Sequence, residues 1–377
     1  MKILQVFDFL SLPHGGGTVD VVYKLSQALA RRGHEVTVCI GDYELDQDYI
    51  NSLANVMVKV FRSWLNIHCL YIMPSIVRLN ITDYDVIHLH CYRSFQNAVI
   101  CHKARKYNIP YIIDAHGSTV DLNGKKQFVR RLYDLMVGYK SLENASRVIA
   151  ETEVGDAEYK KLGVNSNKIV LIHTLLDTEE FTTLPQAGCF RDKYNIKESY
   201  IVLFMGRLHW AKGIEALIDA VCELNRRDVC LAIVGQDDGV KTTLEELVIE
   251  KGILNKVLFT GFLTGQDKLS ALVDADVLVQ PSKNEAGART SLEALLCDTP
   301  VIITKNTGAG KEIASFDGGY LVEYGDVDGL RGAIQYVFEH PGEAEEKTKK
   351  AKDYIRANLS LDKQVGKYEG LYREVVV

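Results

Sequence analysis

The sequence predicts an α/β protein of two tandem Rossmann-like domains facing across a cleft. Three observations lead there. Short apolar runs rich in β-branched residues alternate with amphipathic segments along the whole chain, as βαβ units and parallel sheets require. This rhythm lapses over residues 178–199, which carry "TTLPQAG", and then restarts. The 377 residues are enough for two separate cores.

In the first half, strands are expected at "KILQVF" (2–7), "EVTVCI" (35–40), "DVIHLH" (85–90), "PYIIDA" (110–115), "RVIA" (147–150) and "KIVLI" (168–172). The second half offers "YIVLFMG" (200–206), "VCLAIVG" (229–235), "KVLFTG" (256–261), "DVLVQPS" (276–282), "PVIIT" (300–304) and "GYLVE" (319–323). The domains are expected at 1–178 and 179–359; a last helix at about 360–377 can pack on either half and is grouped with the first. Ligands of open parallel sheets gather at the carboxyl ends of the strands, so the loops there are the candidates for function.

Composition narrows the classes. Hydrophobic residues at 47% and charged residues at 25% describe an ordinary globular protein. A net charge of −6 argues against general nucleic-acid binding, which needs a basic face. The eight cysteines (39, 69, 91, 101, 189, 222, 230, 297) form no C-x-x-C pair and read as reduced thiols of a cytoplasmic protein. "MKILQVFDFL" is interrupted by Asp8 and reads as a strand, not a signal peptide. No run of 18 apolar residues occurs, so no membrane-spanning segment is expected.

Several loops carry residue types suited to anions. "SLPHGGGTVDVVYKLSQALARRGHEV" follows the first strand and opens a helix, where Gly15, Gly16 and Gly17 would let a phosphate approach the backbone. The spacing is not G-x-G-x-x-G, so the dinucleotide fingerprint is absent; a plain turn is the alternative. In "FMGRLHWAKGIEALIDA", Arg207 and Lys212 flank a strand-to-helix loop, and two such cations can neutralise a diphosphate or simply face solvent.

"NEAGARTSLEA" (284–294) sets Glu285 and Glu293 with seven residues between them, the first in a loop and the second inside a helix from about Ala288. At about 1.5 Å rise per residue they stand roughly 12 Å apart. Paired carboxylates working on one glycosidic bond need about 5 to 9.5 Å. They can instead hold two ends of one long ligand, with the helix N-terminus between them, or be one solvated and one loop carboxylate.

Other residues read more plainly. His88 and His90 share a strand face without a third ligand at metal spacing, whereas His116, just past a strand end in "DAHG", can touch a ligand or be a structural histidine. "DYD" (83–85) and "DAD" (274–276) precede buried strands and read as entry turns, not metal sites. Two segments, 56–73 and 125–140, combine cations with large apolar residues. A basic amphipathic helix can lie on an anionic membrane, giving peripheral contact on its cytoplasmic face, or can be a core helix with a solvated basic side.

Together these motifs resemble the family 4 retaining glycosyltransferases, which have the GT-B fold. The likeness runs through "GG…LSQALARRGHEV", "DVIHLH", "IDAHG", "GRLHWAKGIEALIDA", "VLFTGFL", "DADVLVQPS", "EAGARTSLEALLCDTPVI" and "GYLVEYGD", in that order. It implies a hexosyltransferase that uses a nucleotide-sugar donor, such as a UDP-sugar or GDP-mannose. The acceptor would be a glycan, glycolipid or small molecule, as in cell-surface glycan synthesis. No metal and no cofactor would be needed. By the same resemblance Glu293 grips the donor ribose and Glu285 lies by the sugar. The backbone at Ala288, Arg289 and Thr290 meets the diphosphate, which Arg207 and Lys212 clamp and Gly16 or Gly17 approaches. His116 sits near the transferred sugar, and the base lies against Gly261 to Leu263.

Four places depart from the family's pattern. Gly287 and Ala288 stand where it usually has Phe-Gly, and Arg289 where a larger aliphatic residue is common. Thr174 and Leu175 replace its "NG", and Val19 stands where a glutamate is usual. The rival readings are a nucleotide-sugar epimerase on the same architecture and a non-catalytic sugar-nucleotide-binding protein. The oligomeric state does not follow from the sequence.

Overall fold

Each half of the chain winds its strands outward from a central first strand. The structure, a computed structural model, describes residues 1–67, 70–119 and 125–376. It forms two units, Met1–Leu176 with Leu361–Val377, and Asp177–Ser360.

The first unit contains β1 (Lys2–Val6), β2 (Glu35–Gly41), β3 (Val56–Phe61), a hairpin of β4 (Leu65–Ile67) and β5 (Leu70–Ile72), β6 (Val86–His90), β7 (Tyr111–Asp114), β8 (Arg147–Ala150) and β9 (Ile169–Leu171). Seven of these make a parallel sheet in the order β3-β2-β1-β6-β7-β8-β9. The second unit follows with β10 (Tyr200–Met205), β11 (Val229–Val234), β12 (Val257–Gly261), β13 (Val277–Gln280), β14 (Val301–Thr304) and β15 (Tyr320–Val322). Its parallel sheet runs β12-β11-β10-β13-β14-β15. Both orders reverse beside the first strand, between β1 and β6 and between β10 and β13. At such a switch point the connections leave on opposite faces, and a crevice opens at the carboxyl ends.

Side-chain alternation decides what each face of the first sheet holds. Leu4, Val6, Ile87, Leu89 and Ile113 enter one core, and Ile3, Phe7, Val86 and Ile112 enter the other. Gln5, His88, His90 and Asp114 fall on the second face by the same count, and all four are buried. That face is covered by the C-terminal helix Leu361–Val376, through Val365, Tyr368, Leu371 and Tyr372. Arg32 ties the helix down by ion pairs with Asp362 and Glu369, and His34 Nε2 lies 2.8 Å from Glu369 Oε1. Burial pushes the thiols of Cys39, Cys101, Cys230 and Cys297 up to about 12, which fits inert core residues.

The twelve strands read from the sequence are all present, with ends shifted by a residue or two. The segment 56–73 is different. Its described residues form no amphipathic helix, because Val56, Val58 and Val60 alternate as a strand requires, and β3 pairs with β2 at the sheet edge; residues 68 and 69 lie outside the described residues. Among the described residues, no helix is long and apolar enough to cross a membrane.

Candidate active site

The loop after β10 is shaped by two close backbone approaches. Leu208 donates to Gln236 O at 2.8 Å and Asp238 to Leu208 O at 2.9 Å, which zips it to the loop after β11. A Cβ on Gly235 would lie 1.8 Å from Gly206 O, so only glycine permits this contact. Arg207 emerges between the two loops, exposed, with Nη1 2.8 Å from Asp238 Oδ2. A single tight turn, Trp210–Lys212, then leads through Gly213, at φ +66°, into the helix Ile214–Glu223. A Cβ on Gly213 would meet Pro281 O at 2.2 Å, so the helix start presses on the chain leaving β13.

That approach brings Lys212 and Glu285 together. Lys212 Nζ lies 2.6 Å from Glu285 Oε2, and the same oxygen accepts the Ser282 hydroxyl at 3.0 Å. The cluster sits where the loops after β10 and β13 meet, at the switch point of the second sheet. The resemblance assigns Lys212 to a diphosphate and Glu285 to a sugar; in the structure each is the other's counter-ion.

The helix Arg289–Leu296 starts just beyond. Its first residue follows Ala288, which has no side-chain oxygen to cap the first turn. The buried Ala288 N–H donates to Glu312 Oε2 at 3.1 Å, and Ala309 N–H donates to Glu285 O at 3.1 Å, which fixes both ends of the loop. Thr290 is half-buried in the first turn. Glu293, a turn on, is buried at 3% exposure between Lys268 Nζ, 2.7 Å away, and Arg289 Nε, 3.3 Å away. Gly261 closes β12 at φ +77° and accepts the Gly235 N–H at 2.9 Å, which places its loop beside the loop after β11. Leu263, further on, is half-buried. Ser282, Asp238, Lys268 and Glu312 were not singled out from sequence, because only the folded chain makes them neighbours.

In the first unit, Gly16 breaks the helix Leu12–Arg31 with φ 52°, ψ −132°, in open surroundings. The glycine serves the backbone conformation there, not a close contact. Gly16 and Gly17 are both exposed. His116 takes φ 46° beyond β7, followed by Gly117 at φ 76°. Its ring is bonded on both sides: Nδ1 is 2.9 Å from Glu151 Oε1 and Nε2 is 2.9 Å from His90 Nδ1. His90 Nε2 in turn lies 3.0 Å from Gln5 Oε1, His88 Nδ1 2.7 Å from the Tyr372 hydroxyl, and the Tyr368 hydroxyl donates to Asp114 Oδ2 at 3.1 Å.

One assignment of protons satisfies this chain. Burial opposes a charge on His116, but Asp114 and Glu151 outweigh it and raise its pKa to about 9. Burial first, then the neighbouring histidines, holds His90 well below the ordinary value. An imidazolium at His116 then donates to Glu151 and His90, and neutral His90 donates to Gln5. The His116 side chain is only 3% exposed, so a ligand reaching this strand end meets its backbone rather than a ring nitrogen. Asp114, His116 and Glu151 also present ligand atoms within 4.8 Å of one another, which a metal ion could use only by displacing the imidazole proton.

Because the folded pKa of about 9 exceeds the ordinary 6.5, the stability this cluster adds is fully present below about pH 6.5. It is lost as pH rises through about 9. The stability difference between native protein and His116→Asn, followed by denaturant unfolding, should therefore shrink across that window. A difference that stays constant with pH would show a neutral His116.

The two D-x-D strings serve the fold. Asp85 Oδ2 accepts the Lys2 N–H at 2.7 Å. Asp274 caps the helix Cys189–Tyr194 by accepting from Gly188, Phe190 and Arg191 N–H, and Asp276 binds Ile201 N–H and Arg191.

Comparison with known proteins bears on this arrangement. Residues 189–356 match the family described as glycosyl transferases group 1, and residues 15–180 match glycosyltransferase family 4. An uncharacterized glycosyltransferase of Methanocaldococcus jannaschii is 26% identical over 360 residues, 92% of this chain and 91% of its own. The alpha-D-kanosaminyltransferase of Streptomyces kanamyceticus is 23% identical over 321 residues, 83% of each chain. The crystal structure of Anabaena HepE in complex with UDP-glucose superposes with a TM-score of 0.83 at 18% identity, over 99% of this chain and 100% of that one. Two doubly wound sheets of this order, matched in sequence by both family descriptions and in fold by such a structure, make the chain a member of the family 4 glycosyltransferases, with the GT-B fold.

Proposed function

We propose that the protein is a retaining hexosyltransferase that moves a sugar from a nucleoside-diphosphate sugar to a hydroxyl acceptor without a metal or other cofactor. The second unit holds the donor, and the first serves the acceptor. The observation that carries this reading is the Lys212–Glu285–Ser282 cluster at the switch point of the second sheet, beside the start of the helix Arg289–Leu296. UDP-glucose bound to Anabaena HepE supports a nucleoside-diphosphate sugar as the class of donor.

In this reading Lys212, Arg207 and the first-turn backbone at Arg289 and Thr290 stabilise charge on the leaving diphosphate, while the Ala288 N–H stays with Glu312 and holds the loop in place. Glu285 orients the sugar, Glu293 the ribose, and the loop at Gly261 to Leu263 lines the base. In the first unit, Gly16 and Gly17 expose backbone, and His116, its charge matched by Asp114 and Glu151, offers main chain at its strand end. The bond from the anomeric carbon to the phosphate oxygen breaks while the acceptor oxygen bonds on the same face. The acceptor proton passes to the departing phosphate oxygen, so no protein nucleophile is required.

Calorimetry with a panel of UDP-, GDP- and ADP-sugars, with NMR of the product anomer, tests the proposal. One nucleotide class should bind, the product should keep the donor's anomeric configuration, and turnover should survive EDTA. An inverted anomer would remove the retaining mechanism. Activity lost to chelator and restored by manganese would remove the metal-free one, and would make the Asp114–His116–Glu151 group the place to look for the ion.

A further inference from the structure

An amphipathic helix normally turns its apolar side inward. Between Phe128 and Tyr139 the helical segment Lys125–Asn144 does the reverse. It runs as Lys125–Tyr133, one wider turn Asp134–Gly138, and Tyr139–Asn144. Its inward residues include Asp134, Gly138 and Ser141. Arg93 grips Asp134 with Nε 3.0 Å from Oδ1 and Nη2 2.8 Å from Oδ2. A Cβ on Gly138 would lie 2.4 Å from the Tyr92 hydroxyl, and the Tyr133 hydroxyl donates to Ser94 O at 3.0 Å. These polar contacts and this close approach hold the segment to the first unit, together with Leu142, which is buried in the core near the segment's end.

The outward residues are the apolar ones. Phe128 is 74% exposed, Leu135 72% and Met136 68%, and Val129, Leu132 and Tyr139 are exposed beside them. Positions 128, 132, 135, 136 and 139 recur at helical spacing and so share one side. Residues 125–140 carry five cations against one acid, Asp134, in a chain whose net charge is −6. That acid is the residue turned inward and neutralised by Arg93.

We propose that this face docks on an anionic lipid bilayer. Charge complementarity selects the occupant. A second copy meeting this face across a two-fold axis would bring two sets of its exposed cations, Arg131 and Lys140, together, whereas anionic headgroups would oppose them. Exposed Arg131 and Lys140 can reach the headgroups while Phe128, Leu135 and Met136 enter the acyl boundary. An acidic protein is repelled overall by such a surface, so binding must come from a local patch of this kind. The inference stands apart from the donor site and holds whatever sugar is transferred.

Sedimentation of the full chain with vesicles tests it. Binding is expected with phosphatidylcholine plus phosphatidylglycerol, not with phosphatidylcholine alone, and it should weaken as salt rises. Leu135→Ser with Met136→Ser should lower binding about tenfold or more while leaving the melting temperature unchanged, because both side chains are already in water. Protein that remains in the supernatant with both vesicles, or a double variant that binds as the native chain does, would overturn the proposal. So would a dimer by light scattering that the double variant dissolves, since it would assign the face to a second copy.

Discussion

Lys212→Ala is expected to lower kcat/KM by about 10- to 150-fold, the range set by losing a charge-assisted contact of roughly 1.5 to 3 kcal/mol. The structure gives a reason to expect the upper end. Lys212 is the cation bonded to Glu285, and with it gone Glu285 Oε2 retains the Ser282 hydroxyl. A diphosphate would then lose an attraction and meet an unmasked carboxylate in the same variant. Arg207→Ala should cost less, because Arg207 is 62% exposed at its side chain and paired with Asp238 in solvent. Adding Glu285→Gln to Lys212→Ala separates the two effects. If repulsion contributes, the double variant binds nucleoside diphosphate more tightly than Lys212→Ala alone, a coupling that a double-mutant cycle measures. Unchanged affinity and rate in Lys212→Ala would take the diphosphate clamp out of the proposal.

The pairing of Lys212 with Glu285 also shows where sequence reading stops. Strand positions were legible because period-2 and continuous apolar runs are local, and so was the helix starting near Ala288. Arg207 and Lys212 were legible as cations after a strand. Their surroundings were not: Asp238 reaches Arg207 from the next strand's loop, and Lys268 reaches Glu293 from a helix on the other side of β13 in the chain. Nothing in local spacing encodes those distances. The edge strand β3 was missed for a different reason, since "VMVKVFRSW" mixes cations with apolar residues and its alternation was outweighed by its bulk. His116 was legible as a strand-end residue, yet its burial depends on Glu151 and His90 arriving from two other strand ends.

Glu285→Gln and Glu293→Gln are expected to fail in different ways, the first in turnover by about 100-fold, since the reacting sugar loses its positioning contact. Its effect on nucleoside diphosphate affinity should be small. The neutral amide in Glu285→Gln would no longer hold Lys212 as a counter-ion, so any change should favour the diphosphate. Glu293→Gln should instead raise the dissociation constant for nucleotide alone, by about tenfold for one charged hydrogen bond. That variant also leaves Lys268 and Arg289 against a neutral side chain in a buried site, so its melting temperature must be followed beside its affinity. Calorimetry with nucleoside diphosphate and with intact donor distinguishes the two roles, and turnover completes the comparison. The ion pairs already drawn to each glutamate make the test sharp: Glu285 shares its cation with the phosphate-binding loop, while Glu293 is held by two cations on its own side of the helix. Equal losses of nucleotide affinity in both variants would mean that the carboxylates act on one end of the ligand, and the division between sugar and ribose would fall.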